Sequence, residues 1–254
     1  MTQTEWLEAR KVLLAKEKAM LRAQDALAAE LRDLPMVKVT KAYTFHAADG
    51  RDVSLADLFA GKRQLIVYHF MLAPGEAEGC RGCSFMAEHF ADTRLLAAQD
   101  TAFAAVSRGP APAIEAYRAR TGWAFPWVSS FGSDFNYDFH VTADAARDEA
   151  AGVETQYNFR TRSEAEALGK RPPTDGEMPG LSVFYRDGDE VYHSYSTYER
   201  GLDRFINTFQ FLDVTPLGRQ LGPMGPGEFK RKLVSPEIRR FLAGRYERAT
   251  KHGR

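Results

Sequence analysis

Two short runs, Leu65-Ile66-Val67-Tyr68-His69-Phe70 and Thr101-Ala102-Phe103-Ala104-Ala105-Val106-Ser107, are apolar at almost every position. A strand with one wet face alternates; an unbroken apolar run of this length reads as a strand covered on both faces, as central strands of α/β sheets are. Between the two runs lie a break at Ala73-Pro74-Gly75 and a stretch from Ser84 to Gln99 with Phe85, Met86, Phe90, Leu95 and Leu96 at helical spacing. A helix over Pro112 to Arg120, with proline in its first turn, and a short strand Phe125-Pro126-Trp127-Val128 continue the alternation. Strands and helices alternating through short joints predict βαβ units and a largely parallel sheet.

The flanks read differently. Tyr43–His46 and Arg51–Ser54 flank Asp49-Gly50 and predict a hairpin, followed by a short helix over Leu55–Ala60. Leu181–Arg186 and Glu190–Thr197 predict a second hairpin across Asp187-Gly188-Asp189, and Leu202–Phe211 a closing helix. Residues 132–177 hold ten acids against five Lys+Arg and include Pro172-Pro173-Thr174-Asp175-Gly176, which reads as an insertion or surface loop region. At the front, residues 5–34 read as one long helix ending before Pro35. Trp6, Leu13, Met20, Leu27 and Leu34 recur every seven residues beside Leu7, Leu14 and Leu21. This stripe is expected to pack on the protein's own body, with a homodimer contact as the alternative. Its companion positions include Lys16 and Glu30, which speaks against a coiled coil. The expected organisation is a helical extension over residues 1–36, a domain over 37–214, and a Pro/Gly linker with a basic tail over 215–254.

Balance of charge excludes little but points away from two partners. Lys+Arg and Asp+Glu are 34 each, so no global field favours nucleic acid or an anionic membrane. The basic tail lacks the interleaved aromatics of a nucleic-acid arm. The longest apolar run is too short to span a bilayer, and the opening Met1–Glu5 lacks a basic region followed by an apolar one; a cytoplasmic location is the expectation. No Gly-rich phosphate loop or Ser-His-Asp signature occurs, and no cofactor is expected.

The concentrated chemistry is Cys80-Arg81-Gly82-Cys83, the only two cysteines of the 254 residues. A bridge closing so small a loop restricts the unfolded chain little, so redox exchange or metal binding suits the pair better than a staple. The order is a buried strand, a Pro/Gly break, the cysteines and then a helix. It places Cys80 at the helix start, where unpaired N–H groups favour a thiolate, and Cys83 one turn inside. Cys80 is the expected exposed nucleophile and Cys83 the resolving thiol; Arg81 adds positive charge favouring the Cys80 thiolate. Metal binding would need His69 or His89 to complete a set, yet His89 lies six residues past Cys83, on another helical face. Pro179, directly before a predicted strand, is expected to be a cis proline packed against the cysteines.

These residues resemble a known family. The runs Phe45–Gly50 and Leu55–Phe59, the strand ending in Phe70-Met71, and Gly79–Phe85 resemble the thioredoxin and peroxiredoxin superfamily. With Trp123–Ser130, Asp134–Phe139, Tyr192–Tyr198 and Leu212–Gly218, the chain more closely resembles the bacterial thioredoxin-like family known as domain of unknown function 899. The resemblance runs from about residue 5 to 220. It implies a thioredoxin-like α/β fold: a central mixed sheet flanked by helices, with the cysteine pair beside a cis proline. It also implies a protein or small-molecule disulfide or thiol as substrate. Two departures matter. Gly79 and Arg81-Gly82 stand where thioredoxins carry Trp and Gly-Pro. Counted back from Cys80, Ala77 and Ala73 occupy the Thr and Pro places of the peroxiredoxin motif, with Pro74 one position off, and counting from Cys83 puts Cys80 and Glu76 there. Neither register supplies the hydroxyl that orients a peroxide. The leading expectation is therefore dithiol–disulfide exchange. The alternatives are a peroxide reductase or redox sensor, a metal-binding protein, and a non-catalytic binding module using the groove near Trp123 and Trp127.

Overall fold

The computed structural model describes residues 1–221. Residues 222–254 of the expected linker and basic tail lie outside the described residues. The elements run α1 (Gln3–Arg32), β1 (Val37–Lys38), β2 (Thr44–His46), β3 (Asp52–Ser54), a 3₁₀ turn (Asp57–Phe59), β4 (Gln64–His69), α2 (Arg81–Ala87), α3 (Thr93–Ala97), β5 (Thr101–Ser107), α4 (Ala111–Thr121), β6 (Trp127–Ser129) and α5 (Phe135–Asp138). They continue with β7 (Thr142–Ala143), α6 (Ala145–Ala150), β8 (Gln156–Tyr157), β9 (Arg160–Thr161), α7 (Arg162–Ala167), β10 (Gly176–Glu177), β11 (Gly180–Asp187), β12 (Glu190–Tyr198), a 3₁₀ stretch (Glu199–Phe205) and α8 (Asn207–Leu212).

Eight strands form the main sheet in the order β1-β12-β11-β4-β5-β6-β2-β3. Only β4, β5 and β6 run parallel; every other pairing is antiparallel, so the sheet is mixed rather than largely parallel. The reason is local: both flanking hairpins close over tight turns, and a tight turn joins only antiparallel strands. At the centre, β4 and β5 are joined through helices, and β11–β12 returns as a hairpin beside β4, giving the order β12-β11-β4-β5 within the central mixed sheet that the resemblance implies.

Period-two alternation divides the core between the sheet's two faces. Tyr68, Phe103 and Leu181 face one side and pack with Phe85, Met86, Ile114, Tyr117 and Phe209 under α2, α4 and α8. Leu65, Val67, Ala104, Val106 and Phe184 face the other, with Phe45, Phe59, Phe135 and Phe139. All seven residues of β5 are buried, as its unbroken apolar run requires.

Three segments depart from the sequence reading. The Ser84–Gln99 helix is two helices, because Asp92 accepts from the Arg94 N–H and opens a new cap. The closing helix is a 3₁₀ stretch followed by α8, with Ile206 in extended backbone between them. Above all, α1 buries none of its residues, and Trp6, Leu13, Met20 and Leu27 stay about half exposed. The expected packing on the protein's own body does not occur. The helix is locally self-sufficient, with a Thr2–Glu5 capping box and an Arg10–Glu17 ion pair. It joins the body at β1, an edge strand of two residues, too small a platform for a 30-residue stripe. Among the described residues no helix is long and apolar enough to cross a membrane.

Candidate functional site

The site forms where β4 ends. Phe70 N–H still bonds the Val106 carbonyl, and Gly109 N–H bonds the Leu72 carbonyl, so residues 70–72 stay held beside the end of β5. Met71 then receives the cysteine segment at two points. Its carbonyl accepts from the Cys80 N–H at 3.0 Å, and its own N–H donates to the Cys83 sulfur at 3.5 Å. Cys80 is the N-cap of α2 and half-buried; Cys83, two residues into the helix, is 1% exposed. Both are thiols in this structure. Arg81 is exposed at the first helical position.

The two sulfurs are hydrogen-bonded to each other, and Cys83 also bonds the Tyr68 hydroxyl. Burial pushes the Cys83 thiol well up, and the neighbouring Cys80 pushes it the same way; the Tyr68 hydroxyl and the Met71 N–H pull against them. Burial likewise holds the Tyr68 phenol well above its usual range, with Cys83 adding to it, so Tyr68 is a standing proton donor. Tyr68 was not among the residues singled out from sequence. Its signal was present, since it shares the strand face that leads to Phe70, but nothing in the spacing pairs it with a sulfur twelve or more residues on.

The backbone around Cys80 is seated on aromatics. Ser84 Oγ donates to the Cys80 carbonyl at 2.8 Å and lies 2.8 Å from the Tyr117 hydroxyl. Phe70 contacts Tyr117, Trp123 and Trp127, with ring centroids 4.5 Å apart for Trp127. Trp127 is buried and Trp123 half-buried in this cluster. Arg120 ties down the preceding loop through the Ala77 carbonyl at 2.5 Å and Glu78 at 3.0 Å. Gly79 lies directly against the rings: a Cβ there would sit 2.6 Å from Phe70 and 2.7 Å from Tyr117. Gly79→Ala is therefore expected to cost about 1–3 kcal/mol by overpacking and to change the alkylation rate of Cys80. Urea unfolding and timed alkylation read the two effects, and no change in either would show the seat to be loose.

Pro179 arrives at the same end of β4, since Gly180 pairs with His69. The peptide before it is trans; no cis peptide occurs among the described residues, contrary to expectation. The chain runs extended from β10 into β11, with Met178 N–H bonded to the Val141 carbonyl, so no reversal is needed there. The Pro179 carbonyl is held instead by Tyr157, whose hydroxyl donates to it at 2.7 Å. Tyr157 lies in the segment read as irregular insertion. Burial and the nearby Glu199 and Cys83 raise its phenol, while the Glu199 N–H, donating to the same oxygen, opposes them.

The histidines weighed as metal ligands are engaged elsewhere. His69 Nε2 is 2.8 Å from Ser182 Oγ in the core. His89 places Nδ1 2.7 Å from the Phe85 carbonyl and Nε2 2.6 Å from Thr208 Oγ1, joining α2 to α8. Among the described residues no group of three or more His, Cys, Asp or Glu is arranged to hold a metal ion.

Sheet order, crossover helix and the helix that opens on Cys80 define a thioredoxin-like fold. The chain belongs to the family described as "Bacterial protein of unknown function (DUF899)", which matches residues 1–233. No curated protein matches the sequence. Among solved structures, the chain is similar to peroxiredoxin Q of Xanthomonas campestris, at 16% identity, covering 66% of this chain and 89% of that one, with a TM-score of 0.36. It is similar to the peroxidoxin BcpB of Mycobacterium tuberculosis, at 16% identity, 70% and 96% coverage and a TM-score of 0.37. It is also similar to the bacterioferritin comigratory protein of Xanthomonas campestris, at 14% identity, 68% and 95% coverage and a TM-score of 0.40.

Proposed function

We propose that the protein is a thiol–disulfide oxidoreductase in which Cys80 is the nucleophile and Cys83 the resolving thiol. The observation that carries this is the asymmetry of a hydrogen-bonded pair: one sulfur half-buried at the end of α2, its partner sealed beneath it on Tyr68 and Met71. The Cys80 thiolate attacks one sulfur of a substrate disulfide. A Cys80–substrate bond forms, the substrate S–S bond breaks, and the other half leaves as a thiolate. Cys83, losing its proton, then attacks the Cys80 sulfur and releases the second half. Two electrons have passed to the substrate, and the protein holds a Cys80–Cys83 disulfide.

Burial makes Cys83 a poor nucleophile at rest, and the first step relieves part of that. Two of the influences raising its thiol come from Cys80, by hydrogen bond and by charge. Both end when Cys80 becomes a neutral mixed disulfide. The hydrogen bonds from Tyr68 and Met71, which favour the Cys83 thiolate, remain. The geometry thus supports reactivity of the second sulfur only after the first has reacted.

The test is covalent. With a small aromatic disulfide, Cys83→Ser is expected to accumulate a stable mixed disulfide at Cys80, seen as an adduct of one substrate half by intact-protein mass spectrometry. Cys80→Ser is expected to form none and to lose turnover. Equal labelling of Cys80→Ser and Cys83→Ser would overturn the assignment. Rapid loss of peroxide with sulfenic acid on Cys80, and no reaction with disulfides, would replace exchange by peroxide reduction.

A further inference from the structure

A second feature adjoins the cysteines. The β8–β9 hairpin, the loop after α7 and the start of the Glu199–Phe205 stretch enclose a pocket of about 320 Å³, lined by Tyr157, Asn158, Arg160, Lys170, Arg171 and Glu199. Three cations face one carboxylate. Glu199 pairs with Arg160, at 3.4 Å, and accepts from Asn158, and Lys170 and Arg171 are exposed.

A hydrogen bond ties two sides of the pocket together. Asn158 and Glu199 both hold left-handed backbone, φ +52° and +47°, and are tied together by a 2.5 Å hydrogen bond from Asn158 Nδ2. Asn158 and Phe159, both left-handed, form the two-residue turn of the β8–β9 hairpin. Its wall is also part of the cysteine site. The Tyr157 hydroxyl bridges the Pro179 carbonyl and the Glu199 N–H, and the Tyr157 ring stacks edge-on against Tyr198 at 5.3 Å. Tyr157 is close enough to Cys83 for the thiol to help raise its phenol. Through Tyr157 the pocket abuts the Pro179 segment, which pairs onto the end of β4 from which Met71 holds both cysteines.

Resting on the exchange reading above, we propose that this pocket binds the carboxylate arm of a small anionic disulfide, which presents its sulfurs to Cys80. Nothing in the exchange step changes; the pocket selects by charge which disulfide is attacked.

Three disulfides of similar size separate charge from chemistry: dithiodipropionate, a dianion; dithiodiethanol, neutral; and cystamine, a dication. The readout is the rate at which the reduced protein forms its Cys80–Cys83 disulfide, by quenched alkylation and mass spectrometry. Wild type is expected to react about tenfold faster with dithiodipropionate than with cystamine, the gap closing at high salt. Lys170→Gln with Arg171→Gln is expected to slow the dianion about fivefold to tenfold and to leave dithiodiethanol within about twofold. A double variant that slows all three alike, or none, would overturn the pocket assignment. Failure of every disulfide to oxidise wild type would count against exchange itself. The pocket is then judged separately by calorimetric titration of dithiodipropionate into Cys80→Ser/Cys83→Ser protein. Saturable binding lost on adding the two glutamine substitutions supports it, and absence of binding overturns it.

Discussion

Phe70→Ala is expected to destabilise the protein by about 3–5 kcal/mol, the range for emptying a fully buried phenylalanine site in a core that does not collapse. Phe70 is 1% exposed and is the meeting point of Tyr68, Tyr117, Trp123 and Trp127. It also closes against the backbone of Gly79, so the same substitution removes the surface on which the Cys80 segment rests. Two measurements separate the effects. Urea unfolding gives the loss of stability, and the alkylation rate of Cys80 in folded protein gives the loosening of the site. Phe70→Leu is expected to recover roughly half or more of the stability, since most of the volume returns. If Phe70→Ala lowers stability but leaves alkylation of Cys80 unchanged, the aromatic cluster supports the fold and not the sulfur.

That coupling explains why part of the site was legible in the sequence. The unbroken apolar runs ending at Phe70 and Ser107 can only be strands covered on both faces, and a break followed by helical spacing puts Cys80 where α2 begins. These are local patterns, fixed by periodicity and by turn residues. Tyr157 was out of reach, because its role comes from touching Pro179 and Glu199, partners 22 and 42 positions away that only the folded sheet edge brings together. The cis form expected at Pro179 failed for a similar reason. Sequence shows a proline before a strand, but the hydrogen bonds from Met178 to Val141 and from Tyr157 to Pro179 determine that the chain passes straight through. The exposed face of α1 is the converse case. Its stripe is plain in the sequence, but an apolar stripe does not say against what it packs, and the body offers it no bed. The Ser84–Gln99 stretch failed at Asp92, a helix-capping residue whose signal was outweighed by apolar spacing on either side.

The second large effect concerns acid. His69 is fully buried on β4, one residue before Phe70, against the rings of Phe135 and Phe139. Its Nε2 joins a chain of polar groups: 2.8 Å to Ser182 Oγ, 2.9 Å on to Ser196 Oγ, and 2.7 Å to His193 Nε2, which also meets the Tyr195 carbonyl at 3.0 Å. Among the described residues its Nδ1 has no hydrogen-bond partner, so the imidazolium, protonated on both nitrogens, would bury an unpaired N–H. Protonating the ring would place a cation among aromatic side chains away from water. Burial, with His193 nearby, lowers His69 from 6.5 to about 3. The folded value lies below the unfolded one, so His69 costs nothing above about pH 6.5. Below that pH the unfolded chain takes up a proton that the folded chain refuses, and stability falls by about 1.4 kcal/mol per pH unit until the folded group titrates. His69→Asn is expected to be less stable than wild type at pH 7, having lost ring contacts. Between pH 6.5 and 4.5, however, its stability should decline less steeply, by about 2–3 kcal/mol in total. Urea unfolding at stepped pH measures both slopes, and parallel declines would remove His69 as the group responsible. Because β4 carries His69, Phe70 and Met71 in succession, the strand that resists this proton is the one that positions both sulfurs. Acid inactivation of thiol chemistry and acid loss of stability should therefore move together in wild type and separate in His69→Asn.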